Sequence, residues 1–259
     1  MLIEIRDHAS GVFSLTMNNE LKRNALSAEL LAELAAGLHR LEGAGARTLI
    51  LRAQPGSKVW SAGHSLDELE EAGHDPLGWQ DPLRSIVRDI ERFPAPIIAM
   101  IEGSVWGGAC ELAFACDLIV ATPEATFAAT PAKIGVPYNS SGLQTFLNVA
   151  HLRIAKEMLF TAQPVSALRL AQYGIINQIV AAAELEAACV QIGQTIACNA
   201  PLAVAAMKEQ LRMLSEAQVM SPGDFERLQF LRRLAYSSAD YSEGVHAIRE
   251  HRKPQFHGS

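Results

Sequence analysis

One stretch of this chain has the residue types and spacing to stabilise a negative charge. Pro96 and the apolar run Ile97 to Ile101 lead through Glu102-Gly103 and a turn from Ser104 to Gly108 into a helix of small residues carrying one acid, Glu111. A strand, a glycine turn and a helix leave unpaired backbone N–H groups at the helix start. Such groups hold a phosphate, a carboxylate or a developing oxyanion. Glu111 falls one helical turn beyond Gly108, on the same face. Other chemistry finds less support. His64 and His74 stand ten apart on a loop with no matching acid pair, so no metal site is expected. Cys110, Cys116, Cys189 and Cys198 sit in apolar, helical-looking segments without CxxC spacing, as reduced buried thiols do.

The 259 residues suffice for one large domain, or a domain with an appendage. A net charge of −6 argues against a dedicated nucleic-acid binder, though local basic residues can still meet an anionic small molecule. The opening MLIEIRDHAS alternates like a strand and lacks the basic and apolar regions of a signal peptide. No run reaches the ~18 apolar residues of a membrane span, so a cytoplasmic protein without membrane partners is expected.

The elements that must position the anion site follow from periodicity. Leu2 to Ile5 and Val12 to Met17 flank an Ala9-Ser10-Gly11 turn, which predicts a hairpin. Ser27 caps a helix with Leu30, Leu31, Leu34, Leu38 and Leu41 on one stripe, and Thr48 to Ala53 reads as a buried strand. A short strand runs into the small-residue turn Ala62-Gly63-His64, and a mobile polar loop is expected between Glu68 and Trp79. Asp81-Pro82 opens a helix whose Leu83, Ile86, Val87 and Ile90 face the core. Strands are expected at 117–121, 125–129 and 175–180, and helices at about 142–149, 152–160, 183–198, 201–217, 223–236 and 240–251. Alternating strands and helices followed by helices alone predict a mixed α/β core with a C-terminal helical appendage.

Several segments together resemble the crotonase (enoyl-CoA hydratase/isomerase) superfamily. They are Asn24-Ala25-Leu26-Ser27, Ser61-Ala62-Gly63-His64, the run EGSVWGGACELAFACD, IGVPYNSSG, the Pro201-Leu202-Ala203 helix start and the closing RKPQF. They span nearly the full length in the family's order. The resemblance implies an α/β crotonase (ClpP-like) fold: a ββα spiral core with its acyl-CoA site over residues 1–198, and a C-terminal helical trimerisation region over 199–259. It implies an acyl-CoA thioester substrate, no cofactor beyond the coenzyme A of the substrate, and a homotrimer or dimer of trimers. It places the two oxyanion-hole donors on the backbone N–H groups of His64 and Gly108. The His64 imidazole as a catalytic base stands as the other reading of that residue.

Two departures bear on the reaction. Hydratases of the superfamily use two glutamates to activate water; the first matches Glu111, but the second falls on Pro131, counted back from Ile134-Gly135. Proline does no acid–base chemistry, so efficient hydration is not expected. The Val136-Pro137-Tyr138-Asn139 segment, the DPLR of Asp81 to Arg84, LRAQPGSKVWSAGH and Glu209-Gln210-Leu211-Arg212 are similar to the branch that decarboxylates methylmalonyl-CoA to propionyl-CoA. Losing CO₂ leaves the thioester enolate without any base. Tyr138 could then orient the leaving carboxylate, or be only a packed loop aromatic, and Trp106 and Val136 are candidate apolar lining. Glu111 could be turned away, protonated, a proton donor to the enolate carbon, or a first-turn acid serving the helix dipole.

For coenzyme A, the resemblance points to Ala25, Ala62, His64, Ser65, Leu66, Asp67 and Glu68. Lys22 or Arg23 is expected at phosphate, Gly108 and Thr130 at the acyl end, and His251 or Lys253 in place of a closing lysine found in relatives. Ser65 stands where relatives usually have aspartate. The rival readings are an enoyl-CoA hydratase or isomerase working through Glu111, and a non-catalytic acyl-CoA-binding paralogue.

Overall fold

The computed structural model describes residues 1–69, 73–217 and 220–259. Part of the loop expected to be mobile, residues 70–72, lies outside that range. β1 (Ile3–Asp7) and β2 (Val12–Met17) form the expected antiparallel hairpin, with Ile3 opposite Met17. α1 (Ala28–Gly43) follows, its Ser27 cap accepting the Leu30 amide, and leads to β3 (Thr48–Ala53) and β4 (Val59–Ser61). α2 (Pro82–Arg92), β5 (Ile97–Ile101), β6 (Ser104–Trp106) and α3 (Gly108–Phe114) come next. β7 (Leu118–Ala121), β8 (Thr126–Ala128), α4 (Ser140–Val149), α5 (Leu152–Thr161), β9 (Val165–Ser166), α6 (Ala167–Gln172) and β10 (Gln178–Ile179) complete the core. The chain ends in α7 (Ala182–Ala197), α8 (Pro201–Glu216), α9 (Pro222–Tyr236) and α10 (Ala239–Arg249).

Two sheets result. The larger has the order β1-β2-β3-β5-β7-β10, parallel from β2 onward, and the smaller the order β4-β6-β8-β9. Each of β3, β5 and β7 passes directly into a strand of the smaller sheet, β4, β6 or β8, and then into a helix. This is the repeated ββα unit. A parallel sheet must be covered on both faces, which is why β3 and β5 are buried along their whole length. Ile50, Ile98, Met100 and Val120 face α7 through Leu185 and Cys189. The alternate residues Leu49, Leu51, Ile97, Ala99 and Ile101 face the main core, which includes the leucines of α1 and the Leu83, Ile86, Val87 and Ile90 stripe of α2.

Two expectations are corrected. Ser104 to Trp106, read as part of a turn, is strand β6, paired in parallel with both β4 and β8. Three residues show too little alternation to be told from a loop. The strand expected over 175–180 shrinks to Gln178–Ile179, because the Gly174 and Ile175 amides bond back to Ala171 and Leu170 at the end of α6.

The last helices are fastened to the core by specific contacts. Lys208 of α8 donates to the carbonyls of Ile90 and Ala95, at the end of α2 and just beyond it, and to the Asp117 carboxylate at 2.7 Å. Arg232 of α9 pairs with Asp75. α10 packs on the short 3₁₀ turn Pro131–Ile134. At Gly244 a Cβ would lie 2.5 Å from the Ile134 carbonyl oxygen, so only glycine permits that approach. Among the described residues no single helix is long and apolar enough to cross a membrane.

Candidate active site

The site is built where β4 and β6 end side by side. At the end of β4 and beyond, the backbone is held by residues 23–26. The Ala62 amide donates to the Arg23 carbonyl at 2.9 Å, the Leu26 amide to Gly63, and the Ser61 hydroxyl to the Asn24 carbonyl at 2.6 Å. Buried Asn24 is itself fixed by donating to Trp60 O and accepting from the Asn19 amide. Gly63 has φ +84°, and a Cβ there would stand 2.4 Å from Trp106 O and 3.1 Å from the Gly108 nitrogen. Its missing side chain lets the two loops touch. The His64 amide nitrogen then lies 3.7 Å from where a Gly108 Cβ would be. Among the described residues neither the His64 nor the Gly108 amide has a hydrogen-bond acceptor, and both residues line the same cavity. Two preorganised donors at one point, one of them on the first turn of a helix, suit an oxyanion.

Around that point the cavity is mostly apolar. Ala62, Leu66, Leu77, Leu83, Ile134 and Val136 contribute to its wall. Glu111 on α3 reaches it too and is fully buried. Its carboxylate is in an ion pair with Arg84 of α2, whose side chain is equally buried. Unpaired, either charge would be costly in this setting. Burial holds the Arg84 guanidinium below its usual range, and it pushes the nearby carboxyl of Glu91 up. To the four readings left open for Glu111 the geometry adds a fifth, a carboxylate facing a buried guanidinium.

Tyr138 lines the cavity with its hydroxyl donating to Gly107 O at 3.2 Å and its ring edge against Phe146. Burial drives its ionisation well above the ordinary tyrosine value, so the phenol remains a neutral donor. The His64 ring is engaged on both sides, by the Ser65 carbonyl at 3.1 Å and by Asp81 at 3.0 Å. Burial opposes its protonation, yet the hydrogen bond and charge of Asp81 outweigh this and His64 titrates above its ordinary value. With both nitrogens occupied, the backbone N–H is the part of His64 presented to the cavity.

The structure therefore brings Ala62, His64, Leu66, Gly108, Glu111, Thr130 and Tyr138 together, with Pro131 in the same wall. The Ser65 amide donates to Leu26 O, and Ala25 lies between the two residues, Asn24 and Leu26, that bond to this loop. Lys22 and Asp67 are exposed, and a Glu68 oxygen accepts the Ala28 amide at the start of α1. His251 and Lys253 are exposed on the chain beyond α10 and do not line the cavity. Val136 lines it, whereas Trp106 does not and donates its indole N–H to Ser104. Sequence reasoning missed Arg84 and Asp81 as site residues. One signal for Arg84 was available: it shares the inward face of α2 with Leu83 and Val87, where a cation needs a buried partner.

The family profile described as Enoyl-CoA hydratase/isomerase matches residues 7–259. The chain belongs to the enoyl-CoA hydratase/isomerase family. Within the family, methylmalonyl-CoA decarboxylase of Escherichia coli (strain K12) is 47% identical over 244 residues, 94% of each chain. The human mitochondrial enoyl-CoA hydratase domain-containing protein 2 is 32% identical over 96% of this chain and 86% of its own. Among solved structures, methylmalonyl-CoA decarboxylase in complex with 2-nitronate-propionyl-CoA superposes with a TM-score of 0.98 at 45% identity, covering 100% of this chain and 99% of that one. The same enzyme complexed with 2S-carboxypropyl-CoA gives 0.97 at 45% identity and equal coverage.

The Arg84–Glu111 pair makes a direct prediction for this family member. Arg84→Met strands a buried carboxylate and should cost about 3–5 kcal/mol in denaturant unfolding. Adding Glu111→Leu should recover most of that loss. A single variant as stable as the parent would show that the pair does not compensate itself.

Proposed function

We propose that the protein decarboxylates methylmalonyl-CoA to propionyl-CoA through a thioester enolate. One observation carries this reading. The cavity keeps two free oxyanion donors, while its one carboxylate among the described lining residues is neutralised by Arg84 and proline stands where a second would be. Such a site can stabilise an enolate but lacks the pair of acids that activates water. The similarity to decarboxylases whose structures hold propionyl- and carboxypropyl-CoA analogues supports the same reading.

The substrate thioester oxygen accepts from the His64 and Gly108 N–H groups. The bond between Cα and the carboxylate carbon breaks, its electron pair enters the enolate, and CO₂ leaves. Each preorganised donor is worth about 3–4 kcal/mol to such a transition state. The bond must stand perpendicular to the thioester plane to overlap its π system, and the Tyr138 hydroxyl, turning its one hydrogen from the Gly107 carbonyl to the substrate, orients the carboxylate by one hydrogen bond. Apolar walls at Leu83, Ile134 and Val136 favour neutral CO₂ over the anion. A solvent proton then replaces CO₂ at Cα. The step needs no metal or organic cofactor, coenzyme A being part of the substrate.

Purified protein given methylmalonyl-CoA should yield propionyl-CoA by mass spectrometry, and given crotonyl-CoA should yield no hydroxybutyryl-CoA. Rapid hydration of crotonyl-CoA would overturn the reading in favour of a hydratase, and binding without turnover in favour of an acyl-CoA-binding paralogue. Tyr138→Phe should lower kcat about tenfold or more, the worth of one hydrogen bond to a charged group, with KM little changed. A rate equal to the parent's would remove Tyr138 from the mechanism.

We also propose a homotrimer or dimer of trimers assembled through the C-terminal helices. Supporting it, Leu202, Leu211 and Leu214 of α8 and Phe225, Phe230 and Leu234 of α9 are all more than half exposed in the single chain. Light scattering during size-exclusion chromatography should give three or six times the 28.0 kDa chain mass, and a monomer would refute it.

A further inference from the structure

The backbone role of His64 leaves its ring unexplained. Nδ1 lies 3.1 Å from the Ser65 carbonyl oxygen and Nε2 lies 3.0 Å from an Asp81 carboxylate oxygen. Both partners are acceptors. A neutral imidazole has one N–H and satisfies only one of them, turning a lone pair toward the other oxygen. The imidazolium, with two N–H groups, satisfies both. Asp81 is held in place independently, since its other oxygen accepts the Leu83 and Arg84 amides at 2.9 and 3.2 Å on the first turn of α2. That is a position where backbone N–H groups favour an anion.

The charges facing the ring agree in sign. Asp81 approaches from the cap of α2, and Glu68 from the turn Leu66–Glu68; both favour the cation against the opposing effect of burial. On the remaining side of the cavity, the Glu111 charge on α3 is cancelled by Arg84 on α2. The His64 side chain is only 17% exposed, so its charge is little screened by solvent.

We propose that His64 stands as an imidazolium at neutral pH, clamped between Asp81 and the Ser65 carbonyl, and places the cationic member of a His64–Asp81 ion pair on the very residue whose backbone N–H meets the oxyanion. Asp81 is the positioning residue: it holds the ring, and through the ring the donor. The catalytic half of this statement rests on the decarboxylation reading; the charge state of the ring does not. Because the charge is in place before the reaction, it stabilises the enolate oxygen without reorganisation. The protonated form prevails below the raised titration point, so activity falls as pH rises through it.

The test joins a structural readout to a kinetic one. With histidine ¹⁵N-labelled, the His64 signals, assigned by their loss in His64→Gln, should show both ring nitrogens protonated in the ligand-free protein at pH 7. Asp81→Asn keeps a good cap for α2 and should return the ring to the neutral form at pH 7. It should also move the basic limb of the kcat profile down by about one pH unit, and lower kcat at pH 7.5 about fivefold with KM changed less than twofold. A single protonated nitrogen in the parent at pH 7, or an Asp81→Asn profile matching the parent's, would overturn the proposal. An imidazolium in a protein that turns over no methylmalonyl-CoA would support the charge assignment and refute the decarboxylation reading instead.

Discussion

Everything in the site depends on two backbone segments coming closer than side chains allow. Gly63 lies so near the Trp106 carbonyl that a single methyl group would collide with it, and would crowd the Gly108 nitrogen as well. Only at that separation can two amides from different ββα units converge on one oxygen. The surrounding architecture serves this approach. The parallel pairing of β4 with β6 sets the two chain ends side by side, and the buried Asn24 network fixes the height of the upstream loop. Backbone donors gain their value by being immobile before the substrate arrives. The fold spends a buried polar residue and a left-handed glycine on that immobility.

A second regularity is how charge is handled next to an anionic substrate. The first turn of α2 supplies both counterions. Asp81 faces the ring of His64, and Arg84 faces Glu111. A site that must accept a carboxylate would be repelled by an uncompensated Glu111, and cancelling that charge with a buried arginine removes the conflict without removing the acid. The two pairs share one helix turn, so a displacement of α2 would disturb the oxyanion loop and the acyl wall together.

Much of the fold was legible because long periodic segments leave little choice. The α1 leucine stripe, the fully apolar β3 and the C-terminal helices fell where their patterns put them. Short strands were not legible: β6 is three residues, and its pairing is decided by β4 and β8 on either side, far away in sequence. In the site, residues singled out by type or backbone position, among them Gly108, Glu111, Pro131 and Tyr138, do line one cavity. Residues defined by a distant partner could not be singled out. Arg84 matters because of Glu111, twenty-seven positions later, and the ring of His64 because of Asp81. Nothing local in the chain announces either pairing.

The docking of the last two helices has a consequence for which parts of the chain the site depends on. Arg232 of α9 reaches Asp75 and the carbonyl of Leu77, a wall residue, and α10 seats Gly244 against the turn that carries Pro131 and Ile134. The wall opposite the oxyanion donors is thus braced by residues near the end of the chain. The two amides lie just after β4 and β6, the second at the start of α3, whereas the enclosure facing them is braced by helices much later in the chain. The donors and their enclosure are thus drawn from separate parts of the chain, and a shift of α9 or α10 would reach the wall before it reached the amides.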